Sequence, residues 1–216
     1  LMSRGVVALL CAVPAEERML RRLAGPQVRI VVMGMGPATA EHHAAAAIGD
    51  GACAAISVGF CGALDPSLSV GDVVVPERVR DALTGEEWEC DAALASGAGR
   101  RGGTLVTTDH VVSDPVARAA LMGLAVDMES AGAARACARA GVPFAAIRAV
   151  TDRTGDRLPD LAGVVDDAGD LHAMRMAGRL IIHPGQIPAW VRLARGASAA
   201  RRGLVPAVTR ALADAA

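Results

Sequence analysis

At 216 residues the chain has the length of one domain with room for a sizeable core. Hydrophobic residues make up 52% and charged residues 21%, a balance that excludes a disordered chain. The net charge is −1 and every basic residue is arginine, so there is no electrostatic footprint for nucleic acid.

The apolar run Gly5–Ala12 reads as a buried first strand. Pro14 then opens a helix, Ala15 to Leu23, with Glu16 and Glu17 in the first turn, where the helix dipole favours acids. Val28–Met33 is a second strand ending at Gly34-Met35-Gly36, and Thr39 is placed to cap an alanine-rich helix reaching about Ile48. Ala54–Val58 is a third strand ending at Gly59-Phe60-Cys61-Gly62. Leu64–Leu68 is a turn, and Val70–Val75 a fourth strand. The polar, glycine-rich stretch from Thr84 to Gly103 is expected as a surface excursion before Thr104–Thr108 resumes the sheet. Ala125-Val126 is a brief strand, Glu129 to Arg139 a helix closed by Gly141, and Pro143–Val150 the next strand. Beyond Asp152 comes a segment from Leu161 to Leu171, then a helix from about His172 to Ile182. The tail from Ala189 to Ala216 predicts one or two amphipathic helices. Strands alternating with helices predict a three-layer α/β/α sandwich around a mostly parallel, twisted mixed sheet. The whole chain, 1–216, is expected to be one domain with a helical extension from about 184.

Cysteines 11, 53, 61, 90 and 137 show no C-x-x-C spacing, which points to reduced thiols, not disulfides or zinc. The five histidines show no ligand spacing either, so no metal is expected, and no cofactor is implied. No apolar run has the length of a membrane span and no leader pattern precedes the first strand. A cytoplasmic location is therefore expected.

Two acid-bearing segments carry the chemistry: Ala125-Val-Asp-Met-Glu-Ser130 and Ile147-Arg-Ala-Val-Thr-Asp152. Each joins an apolar run to a carboxylate at a structural boundary. Two carboxylates presented from one sheet suit cleavage of a sugar–base bond, one holding the sugar and one protonating the departing base. Asp127 or Ser130 could equally serve as a helix cap, and Glu16 as an acid answering the helix dipole. Arg148 is the oddity of its strand: a buried cation needs a carboxylate partner, and Asp127 or Glu129 could supply it.

On the segments Ser57–Pro76, Ala125–Ser130 and Arg148–Asp152, the chain resembles the purine nucleoside phosphorylase/uridine phosphorylase superfamily. The resemblance runs over roughly residues 5 to 155 and takes in the methylthioadenosine/S-adenosylhomocysteine nucleosidase branch and, most closely, the hopanoid-associated adenosylhopane nucleosidase/phosphorylase branch. It implies Asp152 as the acid that gives a proton to purine N7, with Thr151 helping to place it. It implies Glu129 as the ribose ligand, Met128 packed on the sugar, and Glu16 orienting the attacking water. Gly59 and Asp127 fall within the matching segments and Met35 at a strand end facing the same cleft, so all three are expected among the substrate contacts. Phe60 stands where relatives carry a serine that contacts water or phosphate, which favours hydrolysis over phosphorolysis. Val111 stands where a base-stacking phenylalanine is usual, which disfavours methylthioadenosine itself. Leu158-Pro159, Asp167-Ala-Gly-Asp170 and His183–Pro188 are similar to the hopanoid-associated branch, implied to remove adenine from adenosylhopane. Met33, Met35, Phe60 and Val111 would then make an apolar cleft mouth for a lipid tail. The arginine-containing C-terminus could rest on a membrane surface or cap the fold. The resemblance also implies a homodimer.

Overall fold

The computed structural model describes residues 5–159 and 184–214. Its strands are β1 (Val6–Cys11), β2 (Val28–Val32), β3 (Ala52–Ala63), β4 (Val73–Val75), β5 (Arg78–Asp81), β6 (Glu87–Glu89), β7 (Arg100–Arg101), β8 (Thr104–Thr107), β9 (Ala125–Asp127) and β10 (Phe144–Asp152). Its α-helices are α1 (Pro14–Leu20), α2 (Pro37–Gly49), α3 (Pro115–Ala120), α4 (Ser130–Ala140) and α5 (Ile187–Asp214). The segments expected at 161–171 and 172–182, and His183, lie outside the described residues.

The strands join in one mixed sheet, ordered β6-β5-β8-β9-β3-β10-β4-β7, with β1 and β2 added beside β3. β1 runs along the first half of β3, pairing as far as Leu10 with Ser57. β9 then pairs antiparallel at Gly62 and Ala63. β10 follows β3 in parallel from Phe144 to Asp152 on the other side. This succession brings the ends of β3, β9 and β10 to one point.

Alternation along the strands sends side chains into two separate cores. On one face Ala8, Leu10, Phe144, Ala146 and Val150 pack with the alanines of α2 and α4. On the other Leu9, Cys11, Ala145, Ile147 and Ala149 pack with Leu20 of α1 and Ala200, Leu204, Ala207, Val208 and Ala211 of α5. The result is the three-layer arrangement expected. Alanine and glycine do the work that aromatics do elsewhere, by letting backbones approach. A Cβ on Gly196 of α5 would stand 1.8 Å from the Thr151 carbonyl oxygen, so the helix lies directly against the last turn of β10.

Several expectations shift. β3 continues through Gly59 and Gly62, which are in-strand positions where neighbouring side chains cross, not turns. Val70–Asp72 is a turn, with Gly71 at φ +95°, so β4 is shorter than expected. The excursion from Thr84 holds β6 and β7, and β6 pairs with β5 in an edge hairpin. Its outward Arg78, Arg80, Glu87 and Glu89 pair with one another, which disguises strands as polar loop. Thr39 does not cap α2; Pro37 opens that helix after Gly36. α3 was not expected, although Asp114 caps it by accepting from the Ala117 amide at 3.1 Å, ahead of Pro115. The tail is one helix that carries Pro206 within it. From Ala200 to Ala211 its apolar residues are buried against the sheet, as a capping helix, while Ile187 and Val191 near its start are exposed. None of the described helices is long and apolar enough to cross a membrane.

Gly196→Ala should lower the thermal midpoint by several degrees, since overpacking against fixed backbone costs about 1–3 kcal/mol. Gly203→Ala, whose Cβ would sit 3.1 Å from its nearest neighbours, should cost less. Calorimetric scans of the two variants check both, and an unshifted Gly196→Ala would contradict the close approach.

Candidate active site

The β3, β9 and β10 ends line an open cavity of about 200 Å³. Its walls come from Phe60–Gly62, Val126–Glu129, Thr151 and Asp152, from Thr108 and His110–Val112 after β8, and from Arg118, Leu158 and Leu193.

Beneath it lies a buried charge cluster. Arg148 occupies a core position on the α4 face of β10 and is 1% exposed. Its Nε and Nη2 donate to Asp127 Oδ2 at 2.9 and 2.6 Å. Nη2 also lies 2.8 Å from the hydroxyls of Ser57 and Ser130. Asp127 is engaged on both oxygens: Oδ1 accepts from Thr107 Oγ1 at 2.6 Å, and Oδ2 accepts from the Ser130 amide at 3.2 Å. That bond meets the first amide of α4, whose N-cap position is Glu129, so Asp127 steadies the helix start as well as serving as counter-ion. It touches the cavity wall, but its hydrogen bonding is directed into the protein and not toward a substrate. Burial works against the Arg148 guanidinium, but Asp127, Glu129 and Glu16 outweigh it and hold the charge firmly in place.

Glu16 and Glu129 flank this cation. Glu16 Oε2 accepts from the Ala12 amide at 2.8 Å, tying α1 back to the end of β1. A Cβ on Gly59 would lie 2.5 Å from Arg148 Nη1 and 2.8 Å from Glu16 Oε1, so only glycine leaves room for both groups over β3. Burial raises the Glu16 carboxyl, and Arg148 opposes that rise. Glu129 is the last residue before α4, and its Oε1 accepts from the Gly36 amide at 3.4 Å. Burial first, then the Asp127 charge, pushes Glu129 up to about 8.

At the other end of the cavity Asp152 closes β10. Thr151 Oγ1 lies 2.6 Å from Asp152 Oδ1 and 3.1 Å from the Cys61 carbonyl oxygen. Asp152 Oδ2 sits 2.5 Å from Nη2 of Arg118, on α3.

Among the expected residues, Phe60, Val111, Asp127, Met128, Glu129, Thr151 and Asp152 line the cavity together. Gly59, Glu16 and Met35 are not in its wall: Gly59 and Glu16 lie beneath it beside Arg148, and Met35 stays on the turn before α2. Met33 is fully buried in the core and cannot form a cleft mouth. Arg118 went unnoticed in the sequence. The Asp114-Pro115 pair was the available signal, since it marks a helix start that carries Arg118 inward.

A mixed α/β sheet with a carboxylate-walled cleft at its strand ends defines the class of this molecule. The chain belongs to the phosphorylase superfamily, whose family model matches residues 11–180. A 5′-methylthioadenosine/S-adenosylhomocysteine nucleosidase of Marinomonas sp. (strain MWYL1) is 31% identical over 134 residues, which cover 48% of this chain. The chain spans only 58% of that relative's length. Among solved structures, the nucleosidase of that name from Neisseria meningitidis, in complex with methylthio-immucillin-A, superposes with a TM-score of 0.72 at 19% identity. That match covers 96% of this chain and 98% of the other. A futalosine hydrolase mutant of Helicobacter pylori strain 26695 superposes with a TM-score of 0.60 at 17% identity, over 68% of this chain and 89% of its own. At these identities the structural matches establish the fold.

Glu129 yields a pH test. In the folded chain its carboxyl keeps a proton up to about 8, whereas unfolded it would ionise near its ordinary 4.5. The neutral carboxyl's advantage is therefore complete below about 4.5 and is lost as pH rises toward 8. Denaturant unfolding between pH 5 and 8 should show stability falling with pH, with Glu129 contributing a slope of up to about 1.4 kcal/mol per unit. Glu129→Gln, which fixes the neutral form, should remove about one proton's worth of that slope; an unchanged slope would contradict the assignment.

Proposed function

We propose that this protein hydrolyses the bond between adenine and ribose in a 5′-substituted adenosine. The observation that carries this reading is the convergence of Glu129 and Asp152 on one cavity, with Glu16 buried behind it beside Arg148. The Marinomonas relative, a nucleosidase by name, supports the reaction class.

In this reading Glu129 holds the ribose hydroxyls with Met128 against the sugar, and Asp152 meets the base. The C1′–N9 bond breaks with its electron pair leaving on the base, and positive charge gathers on the sugar. Glu16, acting as the base, stabilises that charge. The oxygen of a water molecule bonds to C1′ and gives a proton to Glu16, whose raised affinity for protons suits a base. The departing adenine takes its proton from the Asp152 carboxyl, which is left as a carboxylate beside the Arg118 guanidinium.

Water is favoured over phosphate as the nucleophile. Phe60 lines the cavity, and the single arginine in the described wall is tied to Asp152. A phosphate dianion would find no free guanidinium there. Phe60, Val111, Val112, Leu158 and Leu193 give the cavity an apolar side, which supports an apolar 5′ substituent. Adenosylhopane, implied by the C-terminal resemblance, is the substrate of that kind that we propose.

Asp152→Asn should lose adenine release from any accepted 5′-substituted adenosine by at least about a hundredfold. Added phosphate should leave turnover of the unmodified protein unchanged. Full activity of the variant would sink the role of Asp152, and a strict phosphate requirement would overturn the hydrolytic reading.

A further inference from the structure

We propose that the outer face of α5 docks on an anionic lipid bilayer, so that the active site works at a membrane surface. The docking rests on the reading of an apolar-tailed nucleoside for its purpose only, since lipid binding is measured without any nucleoside.

α5 has two faces of opposite character. Gly196, Ala200, Leu204, Ala207, Val208 and Ala211 are buried against the sheet. At 3.6 residues per turn, Ile187, Val191, Arg195, Ser198 and Arg202 fall on the far side, and all five are exposed. The helix carries five arginines against one acid, Asp214, in a chain whose net charge is −1. The remainder of the chain is therefore net negative, and this helix is its basic pole. Arg192 lies 3.8 Å from Asp156, and Arg210 donates to the Gly97 and Ala98 carbonyls. Arg195, Arg201 and Arg202 meet no acid among the described residues and stand exposed to solvent.

The apolar pair at the start of the helix narrows the partner. Ile187 is 45% exposed and Val191 43%, one turn apart, with Arg195 a turn further on. A polyanion such as nucleic acid satisfies the arginines and leaves these aliphatics wet. A bilayer surface takes both: phosphate headgroups meet the guanidiniums, and the aliphatic pair enters the acyl boundary beneath them. Arginine suits the task, because its planar fork holds two phosphate oxygens at once. The same end of α5 reaches the substrate cavity, where Leu193 stands in the wall with Leu158. Both leucines also wall a second cavity of about 390 Å³, bordered by Arg153, Arg157, Arg192 and Arg195. An apolar 5′ substituent that passes these leucines is thus led toward the docked face.

Co-sedimentation of the full chain with lipid vesicles tests this. Vesicles of equal parts phosphatidylcholine and phosphatidylglycerol should carry the protein down, pure phosphatidylcholine vesicles should not, and salt should weaken the binding. Each arginine near such a surface strengthens partitioning about fivefold, so Arg201→Gln/Arg202→Gln should weaken it about twenty-five-fold. Ile187→Ser/Val191→Ser should weaken it about tenfold and leave its salt dependence in place. All four side chains are exposed, so both variants should keep the thermal midpoint of the unmodified chain. No binding to the anionic vesicles, or equal binding to both kinds, would overturn the proposal. So would an Ile187→Ser/Val191→Ser variant that binds like the unmodified chain, or duplex DNA bound as tightly as the vesicles; the face would then be a general polyanion surface. Absence of adenine release would overturn the nucleosidase reading and leave the vesicle result standing.

Discussion

Arg148 carries a full charge into the α4 face of the sheet, at a position where its neighbours Ala146 and Val150 are core residues. A cation there survives only if its donors are met at once, and Asp127, Ser57 and Ser130 meet them. That requirement fixes the end of β9 against β10, because Asp127 must face Arg148 from its last residue. It fixes the start of α4, because the same carboxylate holds the Ser130 amide. It also leaves Glu129, two residues on, at the cavity wall. The remaining side of the guanidinium and the Glu16 carboxyl share the space over a bare glycine, which brings α1 close to the same point. One buried cation thus ties the consecutive β9, α4 and β10 to Ser57 of β3 and sets them close to α1, far upstream in the chain.

The second device is smallness. With 2% aromatic residues the layers are held by alanine and glycine, and helices lie close to the sheet and to each other. A Cβ on Gly132 would stand 1.9 Å from the Pro37 carbonyl oxygen, which seats α4 directly against the start of α2. That contact brings the Gly36 amide within reach of Glu129. Gly196 does the same for α5 and the Thr151 backbone. Rigid packing near the strand ends keeps the carboxylates at fixed separations, as a preorganised site requires.

Much of this was legible in the sequence. The apolar runs of β1, β2, β8 and β10 announced themselves, and Arg148 amid such a run named its own need for a carboxylate. Burial and alternation are local properties, and local properties can be read from a string. What could not be read was which neighbour crosses a strand. Gly59 and Gly62 looked like turn glycines because nothing in their own segment shows that Glu16, Arg148 and Arg118 pass over them. β5 and β6 were missed because their charges are paired across the hairpin, so that strand residues carry a loop's composition. Arg118 was missed because a short helix with a single arginine looks like surface until its partner, Asp152, is placed beside it.

A double-mutant cycle on Arg148 and Asp127, read on both unfolding free energy and adenine release, tests the dependence of the site on the buried pair. Arg148→Met and Asp127→Leu each strand a charge and should cost about 3–5 kcal/mol. The double variant should recover much of that loss, yet release no adenine, because Glu16 and Glu129 have lost the cation between them. Additive losses of stability, or a folded double variant that still releases adenine at the original rate, would contradict the account.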